Sequence, residues 1–380
     1  MKRENIRIAG ILAAALLPAA LCAHAGDEEA AAAPRQSDVE VVFVLDTTGS
    51  MGGLIEGAKQ KIWSIANEIA KGKPTPKIKM GLVAYRDKGD QYVARAFDLS
   101  ANLDRTYRDL LSLRAAGGGD DPEHVLKALD EAVERVSWSK DTKTFKVVYL
   151  VGDAPPHFNY GDTPTLERIL ENAVRKGIIV NSIQCGTSAD TSAAWQKIAR
   201  LGEGKYLAIA QDGGVVALAT PYDERIAALN SKLESTALAY GARRAEAAAD
   251  MALSRSVLGM AGGAAMSPAS AERAIFKSRA GFDPDRDLGK AVEEKRLDLA
   301  KLEDSELPDA LRGLSPEARK ARIDATLAER RKIKSELDAL ADRRAAYLRR
   351  EAPRTAQGDS FDARLVDSLK EQAARKGIAY

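Results

Sequence analysis

Cysteine is close to absent from this chain, with Cys22 and Cys185 the two in 380 residues. Cys22 falls in a stretch that reads as a removable leader, so no internal disulfide is available and stability must come from a buried core. Histidine numbers three, and no second histidine stands near His157 at zinc-ligand spacing. Aromatic residues make up 5%, and the second half of the chain is dominated by Ala and charged residues, a helix-rich composition. A large charge of one sign is also missing: the formal net charge is +2, which gives none of the basic face that nucleic acid demands. The apolar run Ile8–Leu21 falls short of the ~20 residues needed to span a bilayer.

That run has a different use. Lys2, Arg3 and Arg7 precede it and Ala23-His24-Ala25 follows as a small-x-small cleavage site, the three-part pattern of an export signal. The expectation is a signal over residues 1–25, a flexible acidic leader over 26–37, and an exported product, periplasmic or secreted. Cys22 opens a lipoprotein alternative, which the bulk of Leu21 directly before it argues against. Removing the signal takes three basic residues and one acidic one and leaves the remainder neutral. Cys185, after the apolar run Ile178–Ile183, then reads as a packed thiol.

What the chain does have is organised around Val39–Gly53. Val41, Val42, Phe43, Val44 and Leu45 run without a polar interruption, the composition of a strand buried on both faces of a parallel sheet. The run stops on Asp46, followed by Thr48 and Ser50 in a D-x-T-x-S spacing, and then by an amphipathic segment. Such a strand end is where ligands sit in open α/β sheets. Three oxygen-bearing side chains can converge there, the chemistry a hard cation takes. The plainer reading, that Asp46 or Ser50 only caps the next helix, needs nothing further.

Further along, strands expected at Ile78–Ala84 and Tyr92–Leu99 are joined tightly through Lys88-Gly89-Asp90 and should pair antiparallel at the sheet edge. A glycine-rich loop, Gly117-Gly118-Gly119-Asp120-Asp121-Pro122-Glu123, leads into a helix; Asp-x-Pro-Glu is also a good helix start by itself. Phe145–Val151 is a second unbroken apolar strand, and it too runs into a carboxylate, Asp153. Strands and helices alternate as far as Tyr206–Ala210, which predicts a doubly wound, mainly parallel α/β sheet with one antiparallel edge strand over residues 38–220. From about Pro221 the strands stop, and 221–380 reads as all-α. Its best-formed helix, Pro316–Arg350, carries Ile323, Leu327, Ile333, Leu337, Leu340 and Tyr347 on one stripe. The stripe predicts packing inside the chain, with oligomerisation through a coiled coil as the alternative.

The three loops together, Asp46/Thr48/Ser50, Asp120/Glu123 and Asp153, resemble those of the von Willebrand factor type A domain. The resemblance implies a Rossmann-like fold with a metal-ion-dependent adhesion site. Asp46, Thr48 and Ser50 would be first-loop ligands and Asp153 the third-loop carboxylate, commonly reached through water. Many members place a threonine in the second loop; here G-G-G-D-D-P-E is more similar to the integrin β-subunit members. Their D-A-x-x-H segment also resembles Asp153–His157. That match favours Glu123 over Asp120 as the second-loop ligand and puts His157 at the rim. Mg²⁺, or Ca²⁺ or Mn²⁺, would then hold an open position for a partner protein's carboxylate. An acidic second loop neutralises the cation more fully than a threonine would, leaving it less attractive to that carboxylate. A competing enzymatic reading makes Asp46 the nucleophile of a Mg²⁺-dependent haloacid-dehalogenase-like phosphotransferase. Against it, no acid lies two positions past Asp46, and Pro155-Pro156 stand where a second acid is usual.

Overall fold

The computed structural model describes residues 37–53, 55–119, 122–209, 219–261, 268–351 and 361–380. The expected export signal, nearly all of the leader, and Asp120 lie outside them.

In β1 (Asp38–Asp46) every residue from Val39 to Leu45 that is apolar is fully buried. Val39, Val41, Phe43 and Leu45 enter one core while Val42 and Val44 enter the other, because successive side chains of a strand point to opposite faces. The other strands are β2 (Lys77–Tyr85), β3 (Ala94–Ser100), β4 (Phe145–Gly152), β5 (Ile178–Cys185) and β6 (Glu203–Ile209). Their order is β3-β2-β1-β4-β5-β6, parallel throughout except for the β2–β3 pair at one edge. β3 starts two residues later than its pattern predicts. Tyr92 is held in the turn instead, its hydroxyl 2.8 Å from Thr47 Oγ1.

Helices cover both faces. α1 (Ile55–Ile69) and α2 (Leu103–Ser112) close one side; α3 (Val125–Glu134), α4 (Leu166–Arg175) and α5 (Ala189–Leu201) close the other. The chain leaves β1 toward β2 and later returns to β4 on β1's other flank. The carboxyl ends of β1 and β4 therefore bracket the topological switch point, where the sheet opens a crevice.

The remaining helices are α6 (Asp223–Ser235), α7 (Arg244–Ala261), α8 (Pro268–Ala280), α9 (Leu288–Glu293), α10 (Pro316–Glu351) and α11 (Phe361–Ala374). The stripe of α10 is filled from within the chain. Ile333, Leu337 and Ala341 pack with Ile226, Leu229 and Leu233 of α6 and Ala271, Ala274 and Ile275 of α8. Ile323 and Leu327 pack with Leu288, Leu307 and Leu311. Two buried arginines fix its register: Arg330 meets Asp287 at 2.7 and 2.8 Å, and Arg344 meets Asp223 at 2.9 Å. Phe276 of α8 and Leu365, Leu369 and Ala373 of α11 join the core that contains α1 and the sheet. Gln36–Tyr380 accordingly makes one compact unit. Among the described residues, no helix is long and apolar enough to cross a membrane.

Candidate metal centre

Where β1 runs out, Asp46 turns the chain. Its Oδ1 accepts from the Thr48 amide at 2.9 Å and the Thr48 hydroxyl at 2.7 Å. Thr48 Oγ1 lies 3.0 Å from Ser50 Oγ, which in turn donates to Asp153 Oδ1 at 3.0 Å. Residues from the ends of β1 and β4 thus form a continuous chain of oxygens. Each hydroxyl carries one proton. The Thr48 hydroxyl thus has one proton for the several oxygens around it, Asp46 Oδ1, Ser50 Oγ and the Glu123 carboxyl.

The carboxylates around them are equally short of partners. Asp46 is fully buried and its Oδ2 meets no hydrogen-bond partner among the described residues. The Tyr85 hydroxyl stands beside it without hydrogen-bond geometry. Burial pushes the Asp46 carboxyl up to about 7, against the Thr48 hydrogen bonds that favour its anion and with Asp153 adding repulsion. Glu123 is buried as well, and its Oε2 is unpartnered. Burial, then the charges of Asp46 and Asp87, raise it to about 9, against a hydrogen bond from Thr48.

Two glycines permit this crowding. A Cβ on Gly49 would stand 2.8 Å from the Gly117 carbonyl oxygen, to which the Gly49 amide donates at 2.9 Å. A Cβ on Gly152 would stand 2.4 Å from the Tyr85 hydroxyl and 2.9 Å from Asp46 Oδ2. The glycine between the threonines and Ser50 lets the second loop pass, and the glycine before Asp153 lets β4 approach Asp46.

The second and third loops are pinned together. The Glu123 amide donates to Pro155 O at 2.9 Å, and the His157 amide donates to Glu123 O at 3.0 Å. From beneath, Thr191 Oγ1 donates to Asp153 O at 3.1 Å and Trp195 Nε1 to Ala154 O at 3.0 Å. Glu123 reaches the same place as Thr48: a Cβ on Gly118 would meet Glu123 Oε1 at 3.0 Å and Thr48 Cβ at 3.3 Å. Asp120, its competitor, lies outside the described residues. His157 stacks on Tyr160 with ring centres 4.2 Å apart, and its Nε2 lies 3.8 Å from Asp87 Oδ2, beyond hydrogen-bond length.

A fourth segment, the turn after β2, escapes the motif reading. Arg86 donates to Thr47 O at 3.1 Å and Arg114 O at 2.9 Å, tying the first loop to the start of the second. Asp90 accepts from the Gly118 amide at 2.9 Å, and Asp87 accepts from the Tyr160 hydroxyl at 2.6 Å. One turn therefore braces all three loops. The available signal is that β2, next to β1, also ends on a charged turn, Arg86-Asp87-Lys88.

Among the described residues, no three His, Cys, Asp or Glu side chains gather closely enough to hold a metal by themselves. Here the hydroxyls of Thr48 and Ser50 would complete the set. The donors are all oxygen, with buried unpaired atoms on Asp46 and Glu123, which fits a hard cation. The set lacks the sulfur and nitrogen ligands typical of zinc. Cys185 sits nearby but is buried, and burial followed by the charges of Asp153 and Asp46 pushes its thiol up to about 12. It is a packed thiol rather than a ligand or nucleophile.

The sheet domain that carries this centre is similar to known proteins. The von Willebrand factor A domain model matches residues 40–220. The von Willebrand factor A domain-containing protein 7 of Rattus norvegicus is 40% identical over 91 residues, 24% of this chain and 10% of that protein. A putative ariadne-like RING finger protein of Acanthamoeba polyphaga mimivirus is 26% identical over 155 residues, 40% of this chain and 15% of that one. The chain thus spans only a small part of either relative. Among solved structures, the SpRpn10 VWA domain covers 46% of this chain and 89% of its own, at 13% identity and a TM-score of 0.36. The stretch from residue 40 to 220 is thus similar to the von Willebrand factor A domain.

Proposed function

We propose that this domain is a metal-dependent protein-binding module. Asp46, Thr48, Ser50 and Asp153 would hold Mg²⁺, with Mn²⁺ or Ca²⁺ as alternatives, and Glu123 would serve as the second-loop ligand. Bound there, the cation would supply a Lewis-acidic position for the carboxylate of a partner protein. The observation that carries the reading is the unbroken run of oxygens from Asp46 through Thr48 and Ser50 to Asp153, each 2.7 to 3.0 Å from the next. The chain's own part is to keep that set assembled: β1 and β4 fix the two aspartates, and the turn after β2 braces the loops. Domains of this family are typically interaction modules and not enzymes, which supports binding over catalysis.

The phosphotransferase alternative finds no support. Asp46 is fully buried, with one oxygen engaged by Thr48 and the other facing Tyr85 and Gly152. A nucleophile has to reach its substrate. Export to the periplasm or medium belongs to the same proposal, resting on the basic, apolar and small-x-small pattern of the first 25 residues.

Calorimetric titration of the full chain with Mg²⁺ and Mn²⁺ tests the centre. Wild type should bind one ion, and Asp46→Asn or Asp153→Asn should weaken it by tenfold or more, roughly the scale of losing a contact that supports a metal site. Equal affinities in all three proteins would end the reading. Hydrolysis of a generic phosphoester that disappears in Asp46→Asn would instead restore the enzyme.

A further inference from the structure

A centre of this composition has an energetic problem as a trap for acids. If Glu123 joins Asp46 and Asp153 as a ligand, as proposed above, three carboxylates would outweigh one divalent cation, and a loaded site would hold no surplus of positive charge for an incoming Asp or Glu. Long-range attraction is weak, and further binding energy has to come from a neighbouring contact. Among the described residues three large apolar side chains are well exposed: Phe158, Leu253 and Leu314. Leu253 lies in α7 and Leu314 just before α10. Phe158, 59% exposed, is the one in the sheet domain, on the loop that carries Asp153.

The loop around it is held from several directions. The neighbouring His157 donates its amide to Glu123 O at 3.0 Å and stacks on Tyr160 at 4.2 Å. Tyr160 is anchored to Asp87 at 2.6 Å, and Lys88 Nζ lies 4.1 Å above its ring. An aromatic side chain standing out from a braced loop loses little freedom on contact, and such rings dominate the energy of many interfaces.

We infer that Phe158 is the second anchor of the interaction surface, and that the partner is an acidic peptide segment with an apolar side chain close to its metal-bound carboxylate. The apolar side chain covers the exposed ring while the acid takes the cation. This rests on the metal-dependent reading above, and deepens it by giving the partner an apolar requirement as well as an acidic one.

The test selects a displayed library of random twelve-residue peptides on the full chain in Mg²⁺, with elution by chelator. Enriched peptides should carry Asp or Glu with Leu, Ile, Phe, Trp or Met within a few residues. Their affinity should fall about tenfold on Phe158→Ser, the scale of an interface anchor, and Phe158→Leu should keep most of it. Mg²⁺ affinity should be the same in all three proteins, which separates a lost contact from a damaged centre. Acidic peptides without apolar enrichment, bound equally by Phe158→Ser, would overturn the anchor and leave the metal reading standing. Absence of Mg²⁺ binding by wild type, or of any chelator-eluted peptide, would overturn both.

Discussion

Asp46 and Glu123 each keep a proton in the metal-free fold that the unfolded chain would release, since their folded values, about 7 and about 9, lie above the ordinary carboxylate range. A raised carboxyl stabilises the fold fully below the unfolded value and loses that contribution as pH climbs toward the folded one. The metal-free protein should therefore lose thermal stability between pH 5 and 9. Bound cation needs those protons gone, so Mg²⁺ affinity should rise over the same range. Melting curves with and without Mg²⁺ would check both slopes, and a flat pair would remove Asp46 and Glu123 as the titrating groups. Gly152 gives a steric counterpart. Gly152→Ala forces a Cβ to within 2.4 Å of the Tyr85 hydroxyl, an overpacking that costs about 1–3 kcal/mol. Adding Tyr85→Phe should recover part of that loss in a denaturant titration, because the hydroxyl is the nearest atom. Without recovery, the clash with Asp46 would be the dominant one. The D-x-T-x-S spacing announces Asp46, Thr48 and Ser50 by sequence alone. Arg86, Asp87 and Asp90 carry no such sign, because a bracing role exists only once β2 lies beside β1.

At the level of elements, α8 is joined to α2 by a buried set of charges. Arg273 and Lys277 contact Asp104 of α2 and Glu234 of α6, with Lys277 Nζ 2.7 Å from Asp104 Oδ2 and 2.8 Å from Glu234 Oε2. Burial raises the Asp104 carboxyl, but Lys277 and Arg273 outweigh it and bring it down to about 2. A depressed acid gives stability that is whole above its unfolded value near 4 and is lost as pH falls toward 2. Asp104→Asn leaves two buried cations with one carboxylate and should cost about 3 kcal/mol. It should also flatten the acid limb of the stability curve. An unchanged denaturation midpoint would mean that water reaches the cluster. The stripe of α10 belongs to this scale too. Its apolar spacing is plain in the sequence, but whether it meets α6 and α8 or a second chain is a question of which faces are left open. In the fold, α6 and α8 fill it.

Across the whole molecule, the helical half completes the sheet domain instead of trailing from it. Trp63 of α1 lies 5.6 Å, ring to ring, from Phe276 of α8, and Leu365, Leu369 and Ala373 of α11 share its core. Asn181 of β5 and Gln372 of α11 exchange two hydrogen bonds, at 3.1 and 2.8 Å. A chain ending at residue 220 would expose that face of α1 and leave Asn181 without Gln372. It should melt at a lower temperature than the full chain and bind a hydrophobic dye; a fragment of equal stability would show that α1 needs no cover. The sequence alone determined the sheet, its antiparallel edge, the helical second half and the strand ends that carry acids. Those follow from local periodicity and from the rule that a strand buried on both faces has no polar interruption. It did not determine how closely Glu123 approaches Thr48, what braces the loops, or that α8 and α11 complete the core around α1. Those depend on contacts between residues tens to hundreds of positions apart, where no spacing along the chain encodes the distance and only the packed structure decides it.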